Sequence, residues 1–483
     1  MKRQAYDIAI IGGGVIGAAI ARELSKYNVK VCLFEKEEEL AFGISKSNSG
    51  IIHPGTQNPP GSLKGRLCVE GNRQIRKIAY ELGVDFKEIG ELIVAFGEKD
   101  LAKLRRLKQD ADILKVPGTR IVDRSWLRKK EPNLSKRVKY ALYAPSAGII
   151  SPYRLVYDLS ENAAINGVSI FTGTEISSIS KISKDEGSPL FELTALKRTF
   201  RSRYVINAAG LYADKVSRMV DVDDFEIKPR KGEEFLLDKK RAHLVNHLIF
   251  PLPTKTSKGV LVIKTADGNP MIGPTANDIE DKTDLSTSDE GLKKVLSSVK
   301  KMVPAISGRD IIAYFAGLRP VAGNDFIVRY EDEVPGFINV AGIQSPGLTA
   351  AAAIALMVIK LLRDHGLRLK KKGMFHRHRP KSIHLFDMPL SKTKRLIKKD
   401  PSYADIVCRC EMVSAKEIRD AIDRGARTLD GIKFRTRAQA GRCHGGFCTA
   451  RIMKILSEER KIPITGVTKR GKGSWMVKED KSE

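Results

Sequence analysis

Four cysteines near the C-terminal end have a spacing that suits an iron–sulfur cluster. They form the pattern Cys408-x-Cys410 and Cys443-x4-Cys448. Four thiolates can hold a [2Fe–2S] cluster, and glycines at 441, 445 and 446 let backbone N–H groups approach its sulfurs. Structural zinc is the alternative, although zinc sites more often use Cys-x2–4-Cys pairs. The spacing therefore predicts a metal site, with a [2Fe–2S] cluster favoured over zinc.

A glycine pattern near the N-terminal end is typical of dinucleotide binding. Gly12-x-Gly14-x-x-Gly17 lies between a predicted strand and a predicted helix. The first glycine suits a tight turn, the second lets the backbone approach a pyrophosphate, and the third lets the helix pack on the strand. Glu35 ends the next predicted strand, where a carboxylate can accept ribose hydroxyls and disfavours a 2′-phosphate. The pattern predicts an FAD or NAD site.

The elements that position these residues alternate between strands and helices. Apolar residues 6–11, helical periodicity over 18–27 and a second strand over 29–35 predict a β-α-β unit. A further apolar strand, 336–342, leads into an apolar helix over 348–362. The alternating residues at 86–96 and 169–200 indicate additional strands. The expected class is α/β.

Length and composition limit the alternatives. The chain has 483 residues, of which 42% are hydrophobic, and this predicts two to four domains. No run reaches the roughly 18 apolar residues of a membrane span, and no cleavage site precedes the first strand, so we expect a cytoplasmic protein. Cys32 and Cys68 lie in apolar patterns and are expected to be buried.

The net charge of +28 is compatible with three kinds of anionic partner, namely a nucleic acid, a membrane surface or small acidic ligands. Residues 366–400 alone carry a net +10 and are interpreted as a solvated connector, able to meet anionic lipid at the inner face of the cell membrane. Its histidines, His376, His378 and His384, are expected to be solvated rather than metal ligands. The Lys/Gly-rich tail is expected to be frayed.

Residues 7–17, with Glu35 and Lys36, resemble the start of FAD enzymes of the D-amino-acid oxidase and glycerol-3-phosphate dehydrogenase group. Residues 47–53, 205–214 and 341–349 resemble three later flavin-contacting segments of that group. The resemblance extends from residue 6 to about 365. It implies a Rossmann-like FAD-binding domain interleaved with an antiparallel-sheet substrate domain, and these candidate FAD-binding residues: Gly12, Gly14, Gly17, Glu35, Lys36, Asn48, Ser49, Gly50, Ile176, Ala209, Gly210, Gly317, Gly342, Gly347, Leu348 and Thr349.

Two members of the group compete. Residues 48–55, 60–64, 71–73 and 246–253 are similar to L-2-hydroxyglutarate dehydrogenases, whereas residues 316–320 resemble glycerol-3-phosphate dehydrogenases. The latter enzymes typically have a phosphate-binding lysine in a loop where this chain has Gly347. A phosphate substrate therefore needs another cation, with Lys264 or Arg230 as candidates.

The C-terminal segments 407–413, 435–437 and 441–448 resemble bacterioferritin-associated-ferredoxin-like domains. Such domains are fused to the catalytic subunit of anaerobic-type glycerol-3-phosphate dehydrogenases and to some amino-acid dehydrogenase subunits. The resemblance implies a dehydrogenase that passes electrons to a partner, rather than an oxidase that passes them to oxygen.

Oxidation of a secondary alcohol by a flavin needs a base for the hydroxyl proton and cations for the substrate's charge. Arg319 is the first candidate for the anion clamp, since a guanidinium binds phosphate or carboxylate bidentately, and Lys264 is the second. His53 and His247 are the candidate bases. Each histidine has the alternative of being a packed, hydrogen-bonded residue.

The predicted domain division has four parts. Residues 1–365 form the oxidoreductase, with FAD-binding parts at about 1–75, 145–215 and 315–365 and substrate parts at about 76–144 and 216–314. A basic linker covers 366–402, a small, mainly helical [2Fe–2S]-binding domain covers 403–463, and a basic tail covers 464–483.

The predicted function is FAD-dependent oxidation of sn-glycerol 3-phosphate to dihydroxyacetone phosphate. Electrons would pass through the [2Fe–2S] cluster to a partner subunit of a hetero-oligomer or to a quinone. Oxidation of L-2-hydroxyglutarate or another 2-hydroxy acid is the first alternative, and amino-acid oxidation is the second. An RNA-modifying flavoprotein is a different class, disfavoured because the basic connector offers only Phe375 and Phe386 for base stacking, so no nucleic acid is expected.

Overall fold

The computed structural model describes residues 4–182, 189–196, 198–254 and 258–478, so that parts of the predicted strand region 169–200 and of the predicted tail lie outside the described residues. The strands are β1 (Gln4–Ile11), β2 (Val31–Phe34), β3 (Ile51–Ile52), β4 (Phe86–Glu88), β5 (Glu91–Ala95), β6 (Arg120–Asp123), β7 (Tyr140–Ala144), β8 (Gly148–Ile150), β9 (Ser169–Phe171), β10 (Ser178–Lys181), β11 (Phe191–Ala195), β12 (Arg198–Asn207), β13 (Lys228–Leu237), β14 (Leu248–Phe250), β15 (Leu261–Lys264), β16 (Pro270–Gly273), β17 (Asn277–Asp278), β18 (Ile311–Val321), β19 (Ile327–Tyr330), β20 (Phe337–Ala341), β21 (Ile406–Cys408) and β22 (Val413–Ser414). The α-helices are α1 (Val15–Leu24), α2 (Leu63–Leu82), α3 (Glu98–Ile113), α4 (Arg124–Lys130), α5 (Pro152–Ile165), α6 (Ala213–Arg218), α7 (Asp289–Met302), α8 (Gly347–Asp364), α9 (Leu390–Lys399), α10 (Ala415–Asp423), α11 (Leu429–Thr436) and α12 (Thr449–Arg460).

The first large sheet is built around β1, which pairs in parallel with β2 on one side and β12 on the other. Strands β9 and β20 extend the parallel part, and β10 and β11 add an antiparallel edge. The apolar parts of the central strands, Ile8–Ile11, Val31–Phe34 and Tyr204–Ile206, are buried, as is typical of a parallel sheet covered on both faces. The predicted α/β class with a Rossmann-like unit is confirmed.

The second large sheet is mainly antiparallel and has the order β17-β13-β16-β15-β14-β5-β7-β6, with β18 paired to β13. The β13–β18 register places Arg230 opposite Arg319 and Gly232 opposite Gly317. Chain segments of this sheet alternate with those of the first sheet, so the expected interleaving with an antiparallel-sheet unit is confirmed. The register brings two arginines to one end of the sheet.

Helix α8 matches the apolar helix expected over 348–362. It packs against α1 and α2, and buried alanines along it let these neighbours approach closely. Its first turn lies against the polar loop that carries His53, because the Thr349 hydroxyl accepts the backbone N–H of His53. The apolar composition of α8 thus fixes the position of a candidate catalytic loop.

The C-terminal unit is small and mainly helical, as predicted. Helices α10, α11 and α12 enclose their own apolar core beside the short β21–β22 pair. Ser414 and Glu417 form a capping box that begins α10. Two arginines attach the unit to the rest of the chain: buried Arg435 contacts Glu39 at 2.8 Å, and half-buried Arg437 contacts Asp267 at 2.8 Å.

The connector is less solvated than its charge suggests. His376 and His378 are exposed, as expected, whereas His384 is half-buried near Glu417. Arg379 is buried and pairs with Asp158 and Glu161 of α5 at 2.9 and 2.5 Å. The interpretation as a solvated connector is therefore wrong at Arg379 and His384, because carboxylates of folded helices lie beside them.

The expectation of a frayed tail is also wrong for the described residues 464–478. Val467 is buried in the C-terminal core, and Thr468 forms a β-bridge with Trp475. The backbone N–H groups of Leu429 and Asp430 donate to the carbonyls of Thr468 and Lys469. Fixed backbone partners, which a composition count does not reveal, hold this segment in place.

Within the described ranges, we find no helix that combines the length and the apolar character needed to cross a lipid bilayer.

Candidate functional site

A cavity of about 860 Å³ is lined by residues from both large sheets. Its size lies within the range of cofactor and ligand sites. Fourteen of the predicted site residues line it: Gly12, Gly14, Glu35, Lys36, Asn48, Ser49, His53, Ile176, Ala209, Gly210, Gly317, Arg319, Gly347 and Leu348.

The predicted site residues outside the cavity wall support it from behind. A Cβ atom on Gly17 would lie 2.0 Å from the carbonyl oxygen of Gly12, so only glycine lets α1 pack on this turn. Gly50 and Gly342 have positive φ angles of 65° in the loops beneath the site. Thr349 holds the His53 backbone through its hydroxyl.

One end of the cavity has the features of a dinucleotide site. Gly12 has φ of 113°, and a Cβ atom there would lie 2.3 Å from the carbonyl oxygen of Ala208. Glu35 accepts the backbone N–H of Gly13 at 2.8 Å, and burial raises the pKa of its carboxyl. The first turn of α1 faces the cavity at Val15, and the positive end of a helix dipole suits a diphosphate. The residues present therefore fit FAD.

The other end of the cavity carries cations. Arg319 donates to the backbone carbonyl of Thr275 at 2.7 Å, and its guanidinium lies on the cavity wall. Lys258 lines the same cavity, and burial lowers the pKa of its ammonium group. Lys64 is a third lining cation and donates to the carbonyl of Asn324 at 2.6 Å. These groups make an anion-binding region.

Sequence reasoning missed Lys258. It lies in a polar stretch between β14 and β15, outside any motif, and no spacing signal identifies it. The predicted second cation, Lys264, does not line the cavity. Leu261 at the start of β15 does, and Lys264 lies three residues further along, a shift of about 10 Å in an extended strand. The position of Lys264 therefore gives no support to its prediction as part of the anion clamp.

Arg230, the other substitute cation considered, does line the cavity. Its side chain is bidentate with Asp278, at 2.5 and 3.0 Å. This pairing partly neutralises Arg230, so Lys258 and Arg319 are the better candidates for binding an anion.

His53 is a buried residue whose ring faces the cavity. Its Nε2 atom lies 3.3 Å from the hydroxyl oxygen of Ser345, and its carbonyl accepts the Asn72 amide at 3.0 Å. Burial holds the pKa of the His53 ring well below its ordinary value, and the charge of Lys258 lowers this pKa further. The ring is therefore neutral near pH 7 and can accept a proton.

Two buried carboxyl groups accompany the cations. Glu234 lines the cavity and accepts the Ser49 hydroxyl, and burial raises its pKa to about 7. Glu91 accepts the Thr56 hydroxyl behind the wall, and burial raises its pKa to about 7. Sequence reasoning missed both, because neither carboxyl belongs to a motif.

His247, the second candidate base, is a structural residue. Its Nδ1 atom lies 2.7 Å from Glu131, and its ring packs against Trp126 and Tyr143. It does not line the cavity, so its position gives no support to its prediction as a base. A histidine in an apolar stretch finds a buried carboxylate more readily than a substrate.

We expect His247→Gln to lower stability by about 1 to 2 kcal/mol, because buried Glu131 loses a hydrogen-bond partner. The kcat/KM should change by less than about twofold. Thermal unfolding and steady-state kinetics on the same sample measure both effects. A large loss of kcat/KM without loss of stability would show that His247 takes part in catalysis.

The four C-terminal thiols form two pairs. Cys410 Sγ lies 3.5 Å from Cys443 Sγ, and Cys448 is hydrogen-bonded to Cys408. Backbone N–H groups of Gly445, Gly446 and Phe447 donate to Cys443 and lower its thiol pKa. A Cβ atom on Gly441 would lie 2.3 Å from the Cβ of Cys410, so glycine is required there. The donor set fits two irons, each held by two thiolates.

Comparison with known proteins agrees with both sites. Residues 7–361 match the family model of FAD dependent oxidoreductases (DAO), and residues 406–458 match that of the BFD-like [2Fe-2S] binding domain. A glycerol 3-phosphate dehydrogenase of Caloramator mitchellensis is 42% identical and covers 98% of each chain. An L-2-hydroxyglutarate dehydrogenase of Homo sapiens is 28% identical over 73% of this chain and 88% of its own.

A solved structure is also similar. The L-alpha-glycerophosphate oxidase from Mycoplasma pneumoniae with FAD bound has a TM-score of 0.73 and 32% identity, and covers 78% of this chain and 98% of its own. With the [2Fe-2S] match, this assigns the cysteine site to iron and sulfur rather than to zinc. The chain is an FAD- and [2Fe–2S]-dependent oxidoreductase, and it belongs to the DAO family of FAD dependent oxidoreductases.

Proposed function

We propose that this enzyme oxidises sn-glycerol 3-phosphate to dihydroxyacetone phosphate. The observation that carries the proposal is the pair of cations, Lys258 and Arg319, on the same cavity as the neutral base His53. A phosphate dianion needs more than one cation, and this chain lacks the loop lysine at position 347. The similarity to a glycerol 3-phosphate dehydrogenase, which extends over both domains, supports the same substrate.

The reaction removes a hydride from the secondary carbon and a proton from its hydroxyl, leaving a ketone. A bound flavin supplies the hydride acceptor. Arg319 and Lys258 bind the phosphate and orient the substrate, and His53 Nε2 takes the hydroxyl proton. The Ser345 hydroxyl, 3.3 Å from that nitrogen, keeps the ring in position.

We further propose that electrons leave through the [2Fe–2S] cluster to a partner subunit or a quinone. Cys410 is exposed, and Phe447 in the loop between two ligand cysteines is 87% exposed. An exposed ligand cysteine and an exposed aromatic ring in the same small domain suit the docking of an electron acceptor. In the proposed domain division, this surface belongs to the cluster domain at 403–463, which follows a basic linker.

Turnover with a dye acceptor tests the substrate. We expect activity with sn-glycerol 3-phosphate, and at least about 100-fold lower kcat/KM with L-2-hydroxyglutarate or an amino acid. Those two substrates would present a singly charged carboxylate group to the two cations, in place of a doubly charged phosphate group. Preferred oxidation of L-2-hydroxyglutarate would replace the proposal with the 2-hydroxy-acid alternative.

The low pKa of His53 predicts the pH dependence. The ring stays neutral down to a pH below 6.5, so the acid limb of the kcat/KM profile should lie below that value. The unfolded chain binds a proton at this histidine below about pH 6.5, whereas the folded chain does not, so stability falls as the pH drops through that region. A pH–rate profile and thermal unfolding measure both effects; an acid limb above pH 6.5 would contradict the assignment.

Replacing His53 by asparagine should lower kcat by about 10³-fold, the usual contribution of a general base. The exposed His243 offers a control, because His243→Asn changes a histidine outside the cavity. We expect the acid limb to disappear in His53→Asn and to persist in His243→Asn. Retention of the acid limb in His53→Asn would show that another group accepts the proton.

A further inference from the structure

The tail that follows the cluster domain contacts the cavity. Arg470 lines it, although this residue lies outside both family matches. Its backbone is held by a turn in which Arg470 N–H donates to the Ser474 hydroxyl at 2.9 Å and Lys469 N–H donates to the Ser474 carbonyl. The guanidinium is therefore carried by an ordered segment.

The same end of the cavity holds a second cation, Lys46. Both Lys46 and Arg470 line the cavity. Burial lowers the pKa of the Lys46 ammonium group, and the charges of Arg470 and Lys433 lower it further, whereas Asp430 and Glu37 oppose this effect. Ser45, the neighbour of Lys46 in sequence, accepts the Val15 N–H of the first turn of α1 at 2.9 Å. Lys46 and Arg470 thus line the same cavity as Gly14 and Val15 at the start of α1, the helix end that suits a diphosphate.

The segment after Glu35 joins the flavin site to the cluster domain. Buried Glu39 accepts backbone N–H groups of Arg427 and Thr428 and pairs with Arg435 at 2.8 Å. Glu39 lies four residues after Glu35, which is on the cavity wall. The docked cluster domain therefore contacts the segment that carries Glu35, and the tail that follows this domain carries Arg470.

We propose that the docked cluster domain and its tail complete the FAD site, with Arg470 binding the anionic diphosphate of FAD together with Lys46. FAD binding and docking of the cluster domain are then coupled, and each strengthens the other. The inference concerns the cofactor of the family and does not depend on which substrate is oxidised.

The test is the FAD dissociation constant of the full-length protein, measured by reconstituting the flavin-free, cluster-containing enzyme. We expect Arg470→Ala to raise this constant about fivefold and Arg470→Glu about 20-fold or more, and Arg470→Lys to stay within about twofold. Lys472→Ala, a change in an exposed neighbour that does not line the cavity, is the control and should have no effect. The iron–sulfur absorbance of each variant reports whether the cluster domain is folded.

Hydrogen exchange supplies a second readout that needs no substitution. Adding FAD to the flavin-free enzyme should slow backbone exchange over residues 467–476. Glu39→Gln should weaken both this protection and FAD binding, because Arg435 loses its charged partner. An Arg470→Glu variant with unchanged FAD affinity and an intact cluster would overturn the proposal, and so would exchange over 467–476 that is unaffected by FAD.

Discussion

Replacing Lys258 by methionine should lower kcat/KM for sn-glycerol 3-phosphate by about 100-fold. Lys258 and Arg319 line the same cavity; burial lowers the pKa of Lys258, and the charge of Arg319 contributes to this lowering. A charge-assisted hydrogen bond contributes about 1.5 to 3 kcal/mol, which corresponds to a factor of about 10 to 150. Methionine keeps much of the length of the side chain and removes the charge, so the loss measures anion binding rather than packing.

Lys264→Met is the matched control, because this lysine lies nearby in sequence but off the cavity wall. We expect less than a twofold change in kcat/KM for Lys264→Met. Most of the effect of Lys258→Met should appear as a higher KM, because the phosphate is bound in the substrate and in the transition state alike. Equal effects of the two variants would contradict the location of the anion clamp.

Replacing Cys443 by serine should separate substrate oxidation from electron delivery. Cys443 accepts backbone N–H groups and lies 3.5 Å from Cys410, so its loss would leave one iron with a single thiolate in place of two. We expect loss of the iron–sulfur absorbance and at least about 100-fold slower reduction of a one-electron protein acceptor such as cytochrome c. The rate of flavin reduction by substrate should change by less than about twofold.

Cys32→Ala is the control for this variant, because Cys32 is a buried thiol in β2, far in sequence from the cluster. It should keep its iron, its absorbance and its turnover. Full turnover of Cys443→Ser with the protein acceptor would show that electrons bypass the cluster, and the proposed electron path would be wrong.

Local patterns made the cofactor sites predictable from sequence. The glycine turn, Glu35 and the first turn of α1 lie within one β-α-β unit, so their spacing determines their arrangement. The four cysteines are likewise brought together by a small domain with its own core. Such sites depend on short-range geometry, which the order of residue types records.

The substrate end depends on contacts between distant segments. Lys258, in the stretch before β15, lines the cavity, whereas Lys264 at the end of β15 does not, and no local pattern specifies this difference. The sequence alone makes His247 a candidate base, because its contact with Glu131, over a hundred positions away, is visible only in the structure. The contact of Glu39 with Arg435 joins two segments far apart in the sequence, so residue spacing does not predict it.

Several of the cations behind the net charge of +28 lie at identified positions in the structure. Lys258, Arg319, Lys46 and Arg470 line the cavity, and Arg379 is neutralised in buried ion pairs. Part of the basic composition is thus accounted for by the cavity wall and by contacts between chain segments.

Anaerobic mixing of the holoenzyme with sn-glycerol 3-phosphate tests the central claim most directly. Flavin absorbance and the iron–sulfur signal are followed in a single turnover, with L-2-hydroxyglutarate in a parallel experiment. We predict rapid flavin bleaching and subsequent reduction of the cluster with sn-glycerol 3-phosphate, and at least about 100-fold slower bleaching with the 2-hydroxy acid. Flavin that stays oxidised in the presence of sn-glycerol 3-phosphate would contradict the proposed function.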